Sequence, residues 1–150
     1  AAIGATLASG KPCTVIVGDG SMQINIQELQ TIVRNKLPLK IVVMNNQSLG
    51  MIRQFQDSYF DSRYQSTVWG YSTPDFEKIA NAYGIKARSI RDLEQCNDAI
   101  HWLLSDKTLL EPMLLQVNIE SSVNVYPKTA FGRPLHQMEP SFKPNDMEGT

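Results

Sequence analysis

Apolar and polar positions alternate between two periods along the chain. Small and apolar residues run from Ala1 to Ser9 and stop at Gly10 with Pro12 close behind, the ending of a helix followed by a chain reversal. Thr14-Val15-Ile16-Val17 is a short β-branched run, read as a buried strand closed by a turn at Gly18-Asp19-Gly20. Ile26, Leu29, Ile32, Val33 and Leu37 return at helical spacing and predict an amphipathic helix up to Pro38. Lys40-Ile41-Val42-Val43-Met44 is a second buried strand, stopped by Asn45-Asn46. A short helix is expected over Met51 to Gln56, and Asp57 to Tyr71 shows no clear period.

Thr73-Pro74-Asp75 reads as a helix start, with Thr73 as N-cap and Pro74 in the first turn. Phe76, Ile79, Ala80 and Tyr83 would form that helix's inner face and Gly84 its stop. Ile85 to Ile90 then predicts a strand, Leu93 to Leu104 a helix and Met113 to Ile119 a last strand. Strands alternating with helices through short joints imply an α/β domain, a doubly wound parallel sheet with helices on both faces. Residues 1–120 are expected to form that domain. In 121–150 the period fades, and Pro127, Pro134, Pro140 and Pro144 predict a tail that packs on the domain without adding a strand to its sheet.

Composition narrows the function classes. The chain has 150 residues, 42% hydrophobic, with 14 Lys and Arg against 15 Asp and Glu. No clustered positive surface suits a nucleic acid, and no apolar run reaches the roughly 20 residues that span a bilayer. Cys13 and Cys96 read as free thiols, which makes a cytoplasmic setting the expectation. The opening Ala1 to Ala8 carries neither an initiator Met nor signal-peptide features and reads as the inside of a helix. A segment of a longer polypeptide, truncated at its N-terminus, is expected.

The chemistry gathers at strand ends, where open parallel sheets bind ligands. Gly18-Asp19-Gly20 follows the first strand and Asn45-Asn46 the second, with one helix and one strand between them. If those strands are neighbours, Asp19 and Asn46 face one pocket. Mg²⁺ takes about six oxygens at roughly 2.0–2.1 Å, commonly few carboxylates plus phosphate and water. One Asp carboxylate, one Asn amide oxygen and one backbone carbonyl suit it when a diphosphate brings the remaining negative charge. Gly18 and Gly20 would let backbone approach phosphate, and the helix after Ser21 would offer it N–H groups. Each motif alone is more often a plain turn, and it is their joint placement at two strand ends that points to a site. His101 has no second ligand at i+4 and His136 stands in the tail near Glu139, so neither is read as a metal ligand. Tyr59, Phe60, Tyr64, Trp69 and Tyr71 suit either a substrate channel or burial against another domain.

Gly18-Asp19-Gly20, then Asn45-Asn46 after residues 21–44, resembles the thiamine-diphosphate motif of the pyruvate-oxidase and acetolactate-synthase group. Gln27-Glu28-Leu29, Leu49-Gly50-Met51-Ile52-Arg53-Gln54 and Val123-Asn124-Val125-Tyr126-Pro127 are similar to acetolactate synthases in particular. The resemblance implies the thiamine-diphosphate-binding fold, with Asp19, the Asn46 side chain and the Ser48 carbonyl as Mg²⁺ ligands. It implies diphosphate contacts from Gly18, Gly20 and Ser21, and closure over the cofactor by Leu49, Gly50 and Met51. Met51, Ile52 and Phe55 would line the substrate side, Phe55 standing where these enzymes commonly carry Trp.

The implied reaction decarboxylates a 2-keto acid such as pyruvate and passes the resulting enamine to a second keto acid. No residue of this chain is expected to be catalytic. The activating glutamate belongs to a pyrimidine-binding domain of the same or a partner subunit, so a homodimer or higher oligomer is implied, and FAD is allowed in the full-length enzyme. Glu28 falls on the crossover helix and does not replace that glutamate. Lys128 to Pro134 departs from the usual acetolactate-synthase ending. The rival readings are another thiamine-diphosphate-dependent decarboxylase, oxidase, lyase or sugar-pathway carboligase, and a non-catalytic module of the same fold.

Overall fold

The computed structural model describes residues 1–144, so the last six residues of the expected tail lie outside the described residues. Two compact units are present, one of Ala1–Ser48 with Ser72–Glu120, the other of Leu49–Tyr71 with the chain from Ser121 onward.

The first unit is built on four parallel strands: β1 (Cys13–Gly18), β2 (Leu39–Asn45), β3 (Lys86–Ile90) and β4 (Met113–Asn118). Their order across the sheet is β1-β2-β4-β3. β1 and β2 pair in register from Cys13 with Leu39 to Gly18 with Met44. Six helices accompany the strands: α1 (Ala2–Ser9), α2 (Asp19–Ile24), α3 (Glu28–Arg34), α4 (Gly50–Tyr59), α5 (Phe76–Ala82) and α6 (Cys96–Leu103). All but α4 belong to the first unit.

Right-handed crossovers place helices on opposite faces when the chain reverses direction across a sheet. From β1 through β2 to β3 the path runs one way, and Leu29, Ile32, Phe76 and Ala80 pack with Ile41, Val43 and Leu114 on one face. From β3 to β4 it turns back, and Ala99 and Leu103 pack with Met113 and Leu115 on the other. Both faces of β2 are therefore covered, which is why its sequence reads as an almost continuous apolar run.

Lys40 is the exception in that run. Its ammonium is buried on the α6 side and donates to the carbonyls of Thr108 (2.5 Å) and Glu111 (2.7 Å) in the joint leading to β4. Burial holds this amine below the ordinary lysine value, and the Glu111 carboxylate partly offsets that. A second polar chain closes the start of α5. The Phe76 N–H donates to Gln116 Oε1 (2.8 Å), Gln116 donates to Asn118 Oδ1, and Asn118 donates to Ser89 Oγ and the Ile90 carbonyl.

The structure departs from expectation in local detail. The crossover between β1 and β2 is two helices, broken at Asn25, whose side-chain amide donates to the Ser21 carbonyl. It also ends before Pro38. Lys36 takes a φ of 49°, and the Leu37 N–H turns back to the Ile32 carbonyl. The N-cap of α5 is Asp75 rather than Thr73. The Asp75 carboxylate accepts the Lys78 N–H, while the Thr73 hydroxyl donates to Asn45 Oδ1. The helix before β4 begins with a 3₁₀ turn over Leu93–Gln95. Cys13 and Cys96 are free thiols.

In the second unit α4 runs to Tyr59, three residues beyond the expected end, and Phe60 to Tyr71 is a chain of turns. After Ser121 the chain pairs Lys128–Thr129 (β5) with Met138–Glu139 (β6) as a short antiparallel ribbon that joins no other strand among the described residues. No helix among the described residues is long and apolar enough to cross a membrane.

Candidate functional site

β1 and β2 are adjacent and parallel, so the residues that follow them emerge at the same edge of the first unit. Gly18 is the last residue of β1 and Asn45 the last of β2. Asp19 is not in a turn, as expected from the sequence, but opens α2 directly. It is 3% exposed, and its Oδ1 accepts the Gly20 N–H at 2.7 Å. A carboxylate accepting a first-turn N–H satisfies one of the donors that every helix start leaves open.

Gly18 has φ −75° and ψ 159°, a backbone state open to any residue, and nothing lies within 4 Å of where its Cβ would stand. Neither backbone strain nor internal crowding accounts for the glycine. The missing side chain leaves the strand end approachable from outside, as close approach of a phosphate requires.

The Asn45 to Ser48 loop separates two like residues by role. Asn45 Oδ1 accepts the Gln47 N–H (3.1 Å) and the Thr73 hydroxyl (3.3 Å), so its buried side chain fixes the loop to the start of α5. Asn46 is half-buried, and its Oδ1 accepts the Ser48 N–H at 3.2 Å. Gln47, between the two turns, has φ 52°. An amide oxygen has two lone pairs, so the Asn46 oxygen keeps one for a further partner.

Ser48 is 2% exposed, and its Oγ has no hydrogen-bond partner among the described residues. Buried hydroxyls nearly always find a partner, so the Ser48 hydroxyl has capacity for one more group at this loop.

No group of three His, Cys, Asp or Glu side chains gathers as a metal site among the described residues. The edge instead offers one carboxylate with amide and carbonyl oxygens. That hard, weakly charged set suits Mg²⁺ when the ligand itself is anionic, so the residues fit a metal-bound diphosphate. Elsewhere in the first unit, a cavity of about 290 Å³ is lined by Ile3, Val15, Met22 and Leu29 among others. Ser21 and Glu28 reach it, whereas Asp19, Asn46 and Ser48 do not.

Leu49, Gly50, Met51, Ile52 and Phe55 belong to the second unit, where α4 carries all but Leu49. Met51 and Phe55, one turn apart on α4, line a pocket of about 400 Å³ together with Lys128 to Arg133. Ile52 is exposed and does not line it.

Two residues between Met51 and Phe55 have roles that local sequence patterns did not reveal. Arg53, 6% exposed, donates to Asp57 Oδ2 (2.9 Å), to the carbonyls of Ser122 (3.0 Å) and Val123 (3.2 Å), and to Asn124 Oδ1 (2.6 Å). Gln54 pairs with the backbone of Val125, accepting its N–H at 3.1 Å and donating to its carbonyl at 3.2 Å. These bonds join Leu49-Gly50-Met51-Ile52-Arg53-Gln54 to Val123-Asn124-Val125 and give a physical reason for both segments being present together. The i,i+4 spacing of Arg53 and Asp57 was the one local signal.

Phe55, Tyr59 and Phe131 form an aromatic cluster with ring centroids 4.6 to 5.7 Å apart. Tyr64 donates its hydroxyl to Asp57 and packs edge-on to Trp69.

Comparison with known proteins follows the same residues. The model of the family described as "Thiamine pyrophosphate enzyme, C-terminal TPP binding domain" matches residues 1–117. The acetolactate synthase isozyme 2 large subunit of Escherichia coli K12 is 41% identical over 128 residues, 85% of this chain and 23% of that protein. The acetolactate synthase large subunit of Pyropia yezoensis is 37% identical over 145 residues, 96% of this chain and 24% of that protein. Among solved structures, the Rhodococcus jostii RHA1 thiamine diphosphate-dependent 4-hydroxybenzoylformate decarboxylase superposes with a TM-score of 0.67 at 27% identity, covering 79% of this chain and 22% of that one. The chain spans about a quarter of the length of the curated relatives it matches.

Proposed function

This chain belongs to the C-terminal TPP-binding domain family of thiamine pyrophosphate enzymes, and from that premise we propose that it serves an acetolactate-synthase-like carboligase, binding thiamine diphosphate through Mg²⁺. The observation that carries the reading is the shared edge of β1 and β2, which bears the buried Asp19 carboxylate and the half-used Asn46 oxygen. In this reading Asp19, the Asn46 side chain and the Ser48 carbonyl hold the metal. The backbone of Gly18, Gly20 and Ser21 lies against the diphosphate, and Leu49, Gly50 and Met51 close over it.

Bound thiamine diphosphate supplies the electron sink for loss of carbon dioxide from a 2-keto acid. The residues of this chain bind and orient it. Asp19 neutralises part of the metal charge, Asn46 and Ser48 fill positions without adding negative charge beside the diphosphate, and the apolar side chains of Met51, Ile52 and Phe55 face the substrate and exclude water. The activating glutamate comes from a pyrimidine-binding domain of the same or a partner subunit in a homodimer or larger oligomer. FAD, which the acetolactate-synthase reading allows, has no residue of this chain assigned to it.

Relatives named acetolactate synthase at 35–41% identity support the carboligase over the other reactions of the family. Supplying the full-length protein with Mg²⁺, thiamine diphosphate and pyruvate tests it. Acetolactate is the expected product, and free acetaldehyde as the sole product would overturn the carboligase reading.

A further inference from the structure

A pocket of the second unit has an apolar floor and, among the described residues, one cation without an ion-pair partner. Met51 and Phe55 contribute from α4, and Ala130, Phe131 and Arg133 from the segment after β5. The Phe131 ring meets Phe55 edge-on, centroids 5.7 Å apart at 69°, and Tyr59 at 5.5 Å. The Arg133 N–H closes a turn onto the Ala130 carbonyl at 3.1 Å, with Gly132 at φ 71° supplying the left-handed step. The turn therefore sets Phe131 and Arg133 two residues apart on the same side of the pocket lining.

The two cations of this pocket differ in their partners. Lys128 pairs with Glu139 at 2.6 Å, and both side chains are nearly buried, 14% and 11% exposed. That pair is neutral. Arg133 uses Nε on the Lys143 carbonyl (3.2 Å), and no acid lies within ion-pairing distance of it among the described residues. Among the described residues its two terminal nitrogens have no partner and keep the fork geometry that takes a carboxylate in two parallel hydrogen bonds. A cation at one corner with aromatic rings beside it offers a carboxylate a partner on one side and apolar surface on the other.

We propose that Ala130 to Arg133 form a specificity wall for the acceptor 2-keto acid, in which Arg133 takes the carboxylate that the acceptor keeps and Phe131, braced by Phe55, bounds its apolar chain. This rests on the 2-keto-acid reading above and names the residues that select the acid. It also gives a use to the Lys128 to Pro134 segment, where the sequence leaves the acetolactate-synthase pattern.

The test uses the full-length protein loaded with thiamine diphosphate and Mg²⁺. Arg133→Ala should raise KM for pyruvate by about tenfold or more, as loss of a charge-assisted pair does, with a smaller change in kcat. Arg133→Lys should recover part of that affinity. Phe131→Ala should shift the choice between pyruvate and 2-ketobutyrate as acceptors by about tenfold, the scale of one methylene in an apolar pocket. Calorimetry with lactate, an unreactive carboxylate of similar size, reads the carboxylate site without turnover and should show the same loss in Arg133→Ala. Calorimetry of cofactor binding should be unaltered in all three variants.

Unchanged KM, lactate affinity and acceptor ratio in an active protein would overturn the wall and leave the carboligase reading standing. Cofactor affinity falling together with KM would also overturn it, because Arg133 would then be structural. If the wild type binds lactate through Arg133 yet forms no carboligation product, the carboligase reading fails and the carboxylate site stands.

Discussion

Each of the two units is stabilised internally by its own kind of interaction. Around the parallel sheet, Phe76, Val43, Met113 and Leu114 are fully buried, and stability comes from apolar area removed from water. In the second unit the fixed points are Arg53, spread over four acceptors, and Gln54, paired with Val125. The aromatic cluster packs beside them with Phe131 still partly exposed. Non-directional burial tolerates a change of shape, whereas a guanidinium fork depends on donor number and direction. The difference predicts opposite responses to conservative substitution.

The largest effect is expected at Phe76. Phe76→Ala removes a fully buried ring and should cost about 3–5 kcal/mol, while Phe76→Leu, closer in volume, should cost much less. Thermal unfolding of the full-length protein with hydrogen exchange at α5 and β4 measures both. Equal losses would mean that Phe76 acts through ring geometry and not through volume.

At Arg53 the order should invert. Arg53→Ala is expected to cost about 2–4 kcal/mol, since four acceptors lose one charged donor group, and Arg53→Lys should lose nearly as much because one ammonium cannot span four acceptors. Faster exchange at the Val125 amide in both variants is the readout. Wild-type protection in Arg53→Lys would show that charge alone suffices, which would break the contrast.

A smaller effect is expected at Asp75. Hydrogen bonding to the Lys78 N–H holds its carboxyl below the ordinary aspartate value. A carboxylate with a depressed folded value contributes stability that is present above the unfolded value of about 3.9 and is lost as pH falls through the folded one. Asp75→Ala should therefore cost about 1 kcal/mol at neutral pH, with the difference from wild type shrinking in acid. A pH-independent difference would remove the capping charge from the explanation.

The sheet was legible because strands buried on both faces leave continuous runs such as Lys40 to Met44, and a helix packed on one face leaves a stripe such as Phe76, Ile79 and Ala80. The α5 cap was missed because Thr73 and Asp75 are both good caps, and the choice turns on Asn45, 28 residues before Thr73, claiming the Thr73 hydroxyl. The break at Asn25 and the left-handed Lys36 interrupt a pattern whose apolar residues remain in step. The Arg53 bonds reach about 70 residues along the chain, beyond any local period. At the strand ends, the sequence singled out Gly18-Asp19-Gly20 and Asn45-Asn46. It did not separate Asn45, which is consumed by the loop, from Asn46, whose oxygen retains capacity.

The central claim is that the edge of β1 and β2 holds a metal-bound diphosphate with Asp19 as its one carboxylate. Calorimetric titration of thiamine diphosphate at fixed Mg²⁺ into the full-length Asp19→Ala protein tests it most directly. Loss of the Mg²⁺-dependent affinity is the predicted result, with thermal unfolding of the unliganded protein lowered only by the lost helix-start hydrogen bond, about 1 kcal/mol. Unchanged affinity and unchanged Mg²⁺ dependence would contradict it and remove Asp19 from the site.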